Sequence, residues 1–191
     1  SDRLEEFDLY HFGSATAFMG GNLKDTYFKL KEYAKSNNKI ISFDANYRES
    51  LFGNNKEEFI KCCKEFIVDS NIVKLSEEEA KLISGIEDIK EASQYIVNLG
   101  CENLMVTLGK EGTLLSNREK QILIKTKEVK MKDATGAGDA FIGAVIAQIL
   151  NEPGKSMEKI VEMANLVGGI TTTKLGALES IPTWDEVFAY N

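Results

Sequence analysis

The 191-residue sequence is poor in the residue types on which several kinds of site depend. It contains one histidine, His11, and three cysteines. A single histidine argues against a multi-histidine metal site and a Ser-His-Asp hydrolase. A Cys-His pair is compatible with the counts, but no nucleophile-elbow pattern supports it. Cys62, Cys63 and Cys101 form neither an even disulfide framework nor a metal-ligand spacing, so we expect free thiols in a reducing cytosol.

Long apolar runs and excess positive charge are also absent. No apolar run is long enough to span a bilayer, and no signal-peptide pattern occurs. The formal net charge is −7, which argues against nucleic acid and anionic membrane as partners, because both need a basic surface. A phosphate ligand needs only local positive potential. Ordinary hydrophobic content and length predict a single soluble domain over residues 1–191. The expected free thiols favour a cytoplasmic location.

Short apolar runs alternate with helical patterns along the chain. We predict strands at residues 7–12, 39–44, 71–75, 103–108, 113–116 and 122–124. We predict helices at residues 22–36, 56–67, 89–99 and 156–173, in the run after Gly138, and after Pro182. Ser76 is predicted to cap a further helix, in which Glu79 completes a capping box. This alternation predicts a largely parallel sheet with helices on both faces and ligand sites at the carboxyl ends of the strands.

The stretch from Asp133 to Leu150 carries the most specific pattern. Gly136 and Gly138 precede Asp139, and an apolar run of helical periodicity follows. Glycines at a helix N-terminus let a ligand approach free N–H groups, where the helix dipole favours an anion. A carboxylate there would repel phosphate unless it accepts the proton of an attacking hydroxyl, as in phosphoryl transfer. On spacing alone, the alternative is that Asp139 only caps the helix and the glycines only form a turn.

A second polar pattern directly follows the predicted strand at 39–44. Asp44, Asn46 and Arg48 are spaced two apart. Alternate residues of an extended segment point to one side, so we expect these three side chains to share a side. An arginine suits phosphate or carboxylate because its planar fork gives bidentate hydrogen bonds. The alternative is an ordinary surface ion pair.

The string Asp133-Ala-Thr-Gly-Ala-Gly-Asp139-Ala-Phe-Ile-Gly resembles the C-terminal signature of the ribokinase-like (PfkB) family of sugar kinases. Residues 44–48 resemble the family's Asp-x-Asn-x-Arg motif. The resemblance implies a three-layer α/β/α fold with a mostly parallel, doubly wound sheet. It also implies an ATP-dependent kinase acting on a primary hydroxyl of a monosaccharide. Residues 11–17 and 43–48 look most like the fructokinase branch, with 2-keto-3-deoxygluconate kinase and then ribokinase as alternatives. A non-catalytic nucleotide-binding regulator is the hypothesis from another class.

The resemblance assigns catalytic and substrate-binding roles to individual residues. It implies that Asp139 is the catalytic base and contacts the substrate, and that Arg48 and Asn46 approach the phosphoryl or sugar site. The implied anion hole comprises Gly136, Ala137 and Gly138. These roles predict that the sugar hydroxyl and the γ-phosphate meet at the helix N-terminus.

The resemblance also implies contacts to ATP and to metal ions. The implied ATP-binding residues are Ser76, Thr107, Leu108, Gly109, Lys110, Glu111, Gly112, Gly138 and Asn165, with Asn165 at the adenine end. Glu79 would organise Mg²⁺ through water, which is compatible with its capping box. Ser76 stands where the family usually has Asn. Asp133, Thr135 and Ser180 would belong to a K⁺ site, as in the members that have one.

Family members are longer than this sequence. They carry an N-terminal segment with a glycine-pair signature, much of the sugar pocket and a β-stranded lid. We therefore expect this chain, without a lid domain, to be the C-terminal portion of a kinase that is active when intact. Without a lid to exclude water, we expect this portion alone to be nearly inactive. A homodimer of the full-length protein is compatible with the resemblance, since family dimers are usually built through the lid.

Overall fold

The computed structural model describes residues 3–53 and 55–190. The strands are β1 (Leu9–Gly13), β2 (Ile40–Asp44), β3 (Ile72–Ser76), β4 (Asn103–Thr107), β5 (Thr113–Ser116) and β6 (Gln121–Ile124). The helices are α1 (Gly21–Ser36), α2 (Glu49–Phe52), α3 (Lys56–Ile67), α4 (Glu77–Ser84), α5 (Ile89–Leu99), α6 (Ala137–Asn151), α7 (Met157–Thr171) and α8 (Trp184–Ala189). All the predicted strands and helices are present, with ends within about two residues of the predicted ones.

The sheet has six strands in the order β1-β2-β3-β4-β5-β6. β1 pairs in parallel with β2, and β2 pairs in parallel with β3. Helices flank the sheet, so the α/β class with a mostly parallel sheet is confirmed. The order advances by one strand at each step, so the reversal of direction in a doubly wound sheet does not fall within the described strands.

The described chain forms two compact units. The first unit runs to Val106 and includes Ser116–Gln121; the second comprises Thr107–Leu115 and the residues from Ile122 onward. Within these described parts, no helix is both long and apolar enough to cross a membrane. The three cysteines are free and buried, and burial raises the pKa of the Cys101 thiol to about 12.

An aromatic cluster forms the core of the first unit. Phe66 of α3 is fully buried, and its ring centroid lies 5.0–5.3 Å from those of four other phenylalanines. These neighbours are Phe12, Phe18, Phe28 and Phe43. These four phenylalanines lie in β1, in β2, in α1 and in the connection between β1 and α1. The Phe66 side chain of α3 therefore packs against several elements of the first unit.

Close packing of α6 and α7 organises the second unit. A Cβ atom at Gly168 of α7 would lie 3.2 Å from the carbonyl oxygen of Ala137 and 3.6 Å from Cβ of Phe141. A side chain at 168 would therefore crowd the carbonyl oxygen of Ala137 in the first turn of α6. The start of α6 is therefore held directly against α7.

One buried ion pair lies at the carboxyl ends of β2 and β3. Asp44 is 2% exposed and Lys74 is 7% exposed. The Lys74 ammonium lies 3.2 Å from Oδ2 of Asp44. Burial raises the pKa of Asp44 to about 6, the charge of Glu79 acts in the same direction, and Lys74 opposes both. Desolvation therefore outweighs the attraction of the partner charge.

Replacing Phe66 by alanine should lower the free energy of unfolding of the first unit by about 3–5 kcal/mol, because it leaves a cavity among four aromatic rings. Urea denaturation followed by circular dichroism measures this loss. Phe7→Ala is the matched control, since Phe7 is 53% exposed, and its cost should stay below about 1 kcal/mol. Equal losses in the two variants would contradict this description of the core.

Titration of Asp44 should make stability depend on pH. The folded protein holds this proton more tightly than the unfolded chain, since the pKa rises from 3.8 to about 6. The resulting stabilisation is complete below about pH 4 and is lost as pH rises through about 6. The free energy of unfolding of the wild type, minus that of Asp44→Asn, should therefore increase from about pH 7.5 to about pH 5. A difference that decreases over this range would show the opposite pKa shift.

Candidate active site

The N-terminus of α6 presents free backbone donors. Gly136 is the N-cap, and no side chain caps the helix. The N–H of Ala137 donates to the carbonyl of Ala134 at 3.2 Å. Among the described residues, the N–H groups of Gly138 and Asp139 have no hydrogen-bond acceptor. Two donors therefore stay available to an anion at the positive end of the helix dipole.

Glycine is required at position 136 for two reasons. Its φ is +78°, in the left-handed region that side chains disfavour. A Cβ atom there would also lie 3.2 Å from Cβ and 3.3 Å from Cα of Ala177. The left-handed turn starts the helix without a side chain covering its first N–H groups.

Asp139 lies in the first turn of α6 and is exposed. Within the part of the chain that the structure describes, its carboxylate accepts no hydrogen bond and forms no ion pair. The geometry therefore does not support a role limited to helix capping. A free carboxylate beside free N–H donors is able to accept a proton where an anion binds.

Asp133 ties the segment before α6 to the loop after α7. Its Oδ1 accepts from the N–H of Thr135 at 2.9 Å and from its hydroxyl at 2.6 Å, and its Oδ2 accepts from the N–H of Gly176 at 3.0 Å. The Thr135 hydroxyl, followed by these two N–H groups, lowers the pKa of Asp133. Ser180 is buried and donates to the carbonyl oxygens of Gly176 and Leu175. The three residues predicted for a K⁺ site thus all form hydrogen bonds within the segment before α6 and the loop after α7.

The predicted nucleotide-binding turn is a tight one. Gly109–Glu111 form a 3-10 helix, and the N–H of Leu108 donates to the carbonyl of Gly112 at 2.8 Å. Gly112 has a φ of +103°, and a Cβ there would lie 2.1 Å from the carbonyl oxygen of Ile124. The turn therefore packs directly on the end of β6, and only glycine fits at 112.

Asn165 uses its side chain inside the second unit. It is 7% exposed. Its Oδ1 accepts from the Thr113 hydroxyl at 2.6 Å, and its Nδ2 donates to the carbonyl of Ile124 at 2.8 Å. Asn165 thus connects α7 to β5 and β6 beside the turn. Its predicted contact to adenine stays a prediction. Thr113 looks like an ordinary strand residue, and no pattern in the sequence singles it out.

The segment after β2 differs from the extended one that the sequence predicted. Asn46 has a φ of +43°, so the alternation that would place Asp44, Asn46 and Arg48 on one side is broken. Asp44 is buried, whereas Arg48 is exposed at the N-cap of α2. The expectation of a shared side was therefore wrong. Among the described residues, the Arg48 guanidinium has no hydrogen bond or ion pair, so it is available to an anion.

Ser76 and Glu79 form the predicted capping box. Ser76 Oγ accepts from the N–H of Glu79 at 3.2 Å, and Glu79 Oε2 accepts from the N–H of Ser76 at 2.7 Å. Glu79 Oε1 also accepts from the N–H of Tyr47 at 2.7 Å. Both carboxylate oxygens thus bind backbone groups. In the described ranges, no group of three or more His, Cys, Asp or Glu is arranged to hold a metal ion. A role of Glu79 in organising Mg²⁺ stays a prediction.

Comparison with known proteins identifies relatives of the whole chain. Residues 1–184 match the family described as pfkB family carbohydrate kinase. Fructokinase-1 from Oryza sativa subsp. japonica is 32% identical over 188 residues, which cover 94% of this chain and 57% of that protein. The chain thus spans less than two thirds of this relative.

Solved structures agree with this match. An uncharacterized sugar kinase from Pyrococcus horikoshii is 33% identical with a TM-score of 0.83, and the match covers 100% of this chain and 59% of that one. A double mutant of fructokinase from Vibrio cholerae, in a form bound to fructose, ADP and potassium ion, is 28% identical with a TM-score of 0.90. That match covers 96% of this chain and 60% of the fructokinase. The chain belongs to the PfkB family of carbohydrate kinases.

Proposed function

We propose that the protein transfers the γ-phosphoryl group of ATP to a primary hydroxyl of a monosaccharide. The observation that carries this proposal is the combination at the start of α6. Two N–H groups there lack an acceptor among the described residues, and the carboxylate of Asp139 lacks a donor among them. An anion hole beside a free base is what phosphoryl transfer to an alcohol requires.

In this mechanism, the sugar hydroxyl oxygen attacks the γ-phosphorus and the bond to the β–γ bridging oxygen breaks. Asp139 takes the hydroxyl proton, and ADP leaves with the bridging oxygen. The N–H groups in the Gly136–Gly138 segment stabilise charge on the transferring group, and the N–H of Gly138 has no acceptor among the described residues. Arg48 binds a phosphate or the substrate, and Asn46, which precedes it by two residues, approaches the same ligand.

The nucleotide is assigned to the second unit, at Thr107–Gly112 and the neighbouring Asn165. A contact of Ser76 to ATP stays a prediction. Bound Mg²⁺ would neutralise charge on the phosphates. Glu79 fits a role through water better than direct coordination, because both its oxygens already accept backbone N–H groups. Mg²⁺ usually keeps several waters in such sites.

A K⁺ site is assigned to the loops that Asp133, Thr135 and Ser180 join. The lowered pKa of Asp133 keeps this carboxylate ionised near a cation. The Vibrio cholerae fructokinase double mutant was solved with potassium ion bound. Activity of the protein should therefore be compared with and without K⁺.

Fructose is the sugar that we favour. The relative from Oryza sativa is named a fructokinase, and the Vibrio cholerae structure contains fructose. The guanidinium of Arg48 is exposed and has no partner among the described residues. It favours 2-keto-3-deoxygluconate as the second candidate, because that substrate carries a carboxylate. Ribose is the third. A nucleotide-binding regulator would have no need for the Asp139 carboxylate beside a phosphate site, and this carboxylate has no partner in the described part of the chain.

Asp139→Asn in the longest gene product that contains this sequence should lower kcat by about 10²–10⁴-fold, because the amide cannot accept the hydroxyl proton. The dissociation constant for ATP should stay nearly unchanged. A coupled assay for ADP and a calorimetric titration measure the two quantities. Asp185→Asn is the matched control, since Asp185 is also an exposed carboxylate in the first turn of a helix. An Asp139→Asn protein with full turnover would refute the assignment of the base.

Gly112→Ala should weaken ATP binding by about tenfold or more, because the new Cβ meets a carbonyl and displaces the turn at Thr107–Gly112. Titration with ATP measures the dissociation constant. Gly154→Ala is the control, since Gly154 has a φ of +89° but no atom within 4 Å of a Cβ. The Gly154→Ala substitution should lower the free energy of unfolding by about 1–2 kcal/mol and leave the affinity for ATP unchanged. Unchanged affinity in a folded Gly112→Ala protein would exclude this turn from the nucleotide site.

A further inference from the structure

The segment 45–48 joins β2 to α2 and carries Arg48. Within it, Asn46 has a φ of +43°. A non-glycine residue in the left-handed region persists only where its surroundings hold it there. The contacts that hold Asn46 therefore decide where the exposed guanidinium of Arg48 lies.

Two buried carboxylates bind successive N–H groups of this segment. Asp44 Oδ1 accepts from the N–H of Asn46 at 3.2 Å, and Glu79 Oε1 accepts from the N–H of Tyr47 at 2.7 Å. Asp44 is 2% and Glu79 is 7% exposed. Hydrogen bonds to a carboxylate are stronger than those to a neutral oxygen. The backbone just before Arg48 is thus held from β2 and from α4.

The positive charge of Lys74 stabilises the ionised carboxylate of Asp44. Its ammonium lies 3.3 Å from Oδ1 and 3.2 Å from Oδ2 of Asp44. The pKa of Asp44 is raised by burial and by Glu79, and Lys74 lowers it. Without Lys74, Asp44 would hold a proton at higher pH. A neutral carboxyl group accepts more weakly from the N–H of Asn46.

We propose that Asp44, Lys74 and Glu79 form a positioning network that fixes residues 45–48 and so directs Arg48. The proposal rests on the proposed function for the task of Arg48, whereas the contacts within the network do not. Lys74 acts through Arg48 and does not touch the substrate. Glu79 acts as a clamp on the backbone at Tyr47 through the oxygen that its capping box does not use.

Amide hydrogen exchange tests the network without any need for turnover. In Lys74→Met, the amides of Asn46 and Tyr47 should exchange about tenfold faster, as expected when a charge-assisted hydrogen bond weakens. The amide of Val73 in β3 reports on the unit as a whole and should change less. If Lys74→Met fails to fold, Asp44→Asn combined with Lys74→Met removes both charges and gives the same comparison. Unchanged exchange at both amides, or equal acceleration at Val73, would overturn the proposal.

Lys31→Met is the matched control. Lys31 is 4% exposed and forms an ion pair with Asp69 at 2.8 Å, so it is also a buried, paired lysine of the first unit. Its loss should reduce stability without selective acceleration of exchange at Asn46 and Tyr47. Selective acceleration in this variant would show that any buried lysine has the same effect, and would overturn the assignment to Lys74.

Kinetics test whether Lys74 acts through Arg48. Lys74→Met should lower kcat/KM by about tenfold to a hundredfold, as expected for a misplaced binding group. In an Arg48→Gln background, Lys74→Met should cost almost nothing further, because the group it positions is gone. Full additivity of the two losses would overturn the positioning role. A wild-type protein without turnover on any sugar would remove the proposed function, while the exchange rates would still support or overturn the network.

Discussion

The site depends on one constraint, the left-handed conformation of Gly136 that opens α6 without a side-chain cap. The close approach of Ala177 and the packing of Gly168 against Ala137 hold this turn in place. The N–H groups of Gly138 and Asp139 are left without an acceptor in the described part of the chain. An anion bound there would accept hydrogen bonds from these N–H groups and would be stabilised by the helix dipole. The backbone would not have to rearrange to bind it.

The first unit contains two buried carboxylates, Asp44 and Glu79, and both accept hydrogen bonds. Asp44 and Glu79 each bind a backbone N–H, and Lys74 offsets the cost of burying Asp44. Buried ion pairs contribute little net stability, but they do define a geometry. Here that geometry is the turn that carries Arg48.

The sequence predicted the local features well. The helix start at Gly136 and the capping box of Ser76 follow from residue types within a few positions, because glycine conformation and capping are local properties. Contacts between distant residues were not predictable. The Asp44–Lys74 pair joins residues 30 apart in sequence. The turn at Asn46 was mistaken for an extended segment because no glycine marks it.

The most direct measurement offers ATP and Mg²⁺ to the longest gene product with fructose, 2-keto-3-deoxygluconate and ribose in parallel, with and without K⁺, and identifies the product by ³¹P NMR. We expect a phosphomonoester on a primary hydroxyl of one sugar, formed with one equivalent of ADP. ATP binding without any sugar phosphate would contradict it and favour a nucleotide-binding regulator.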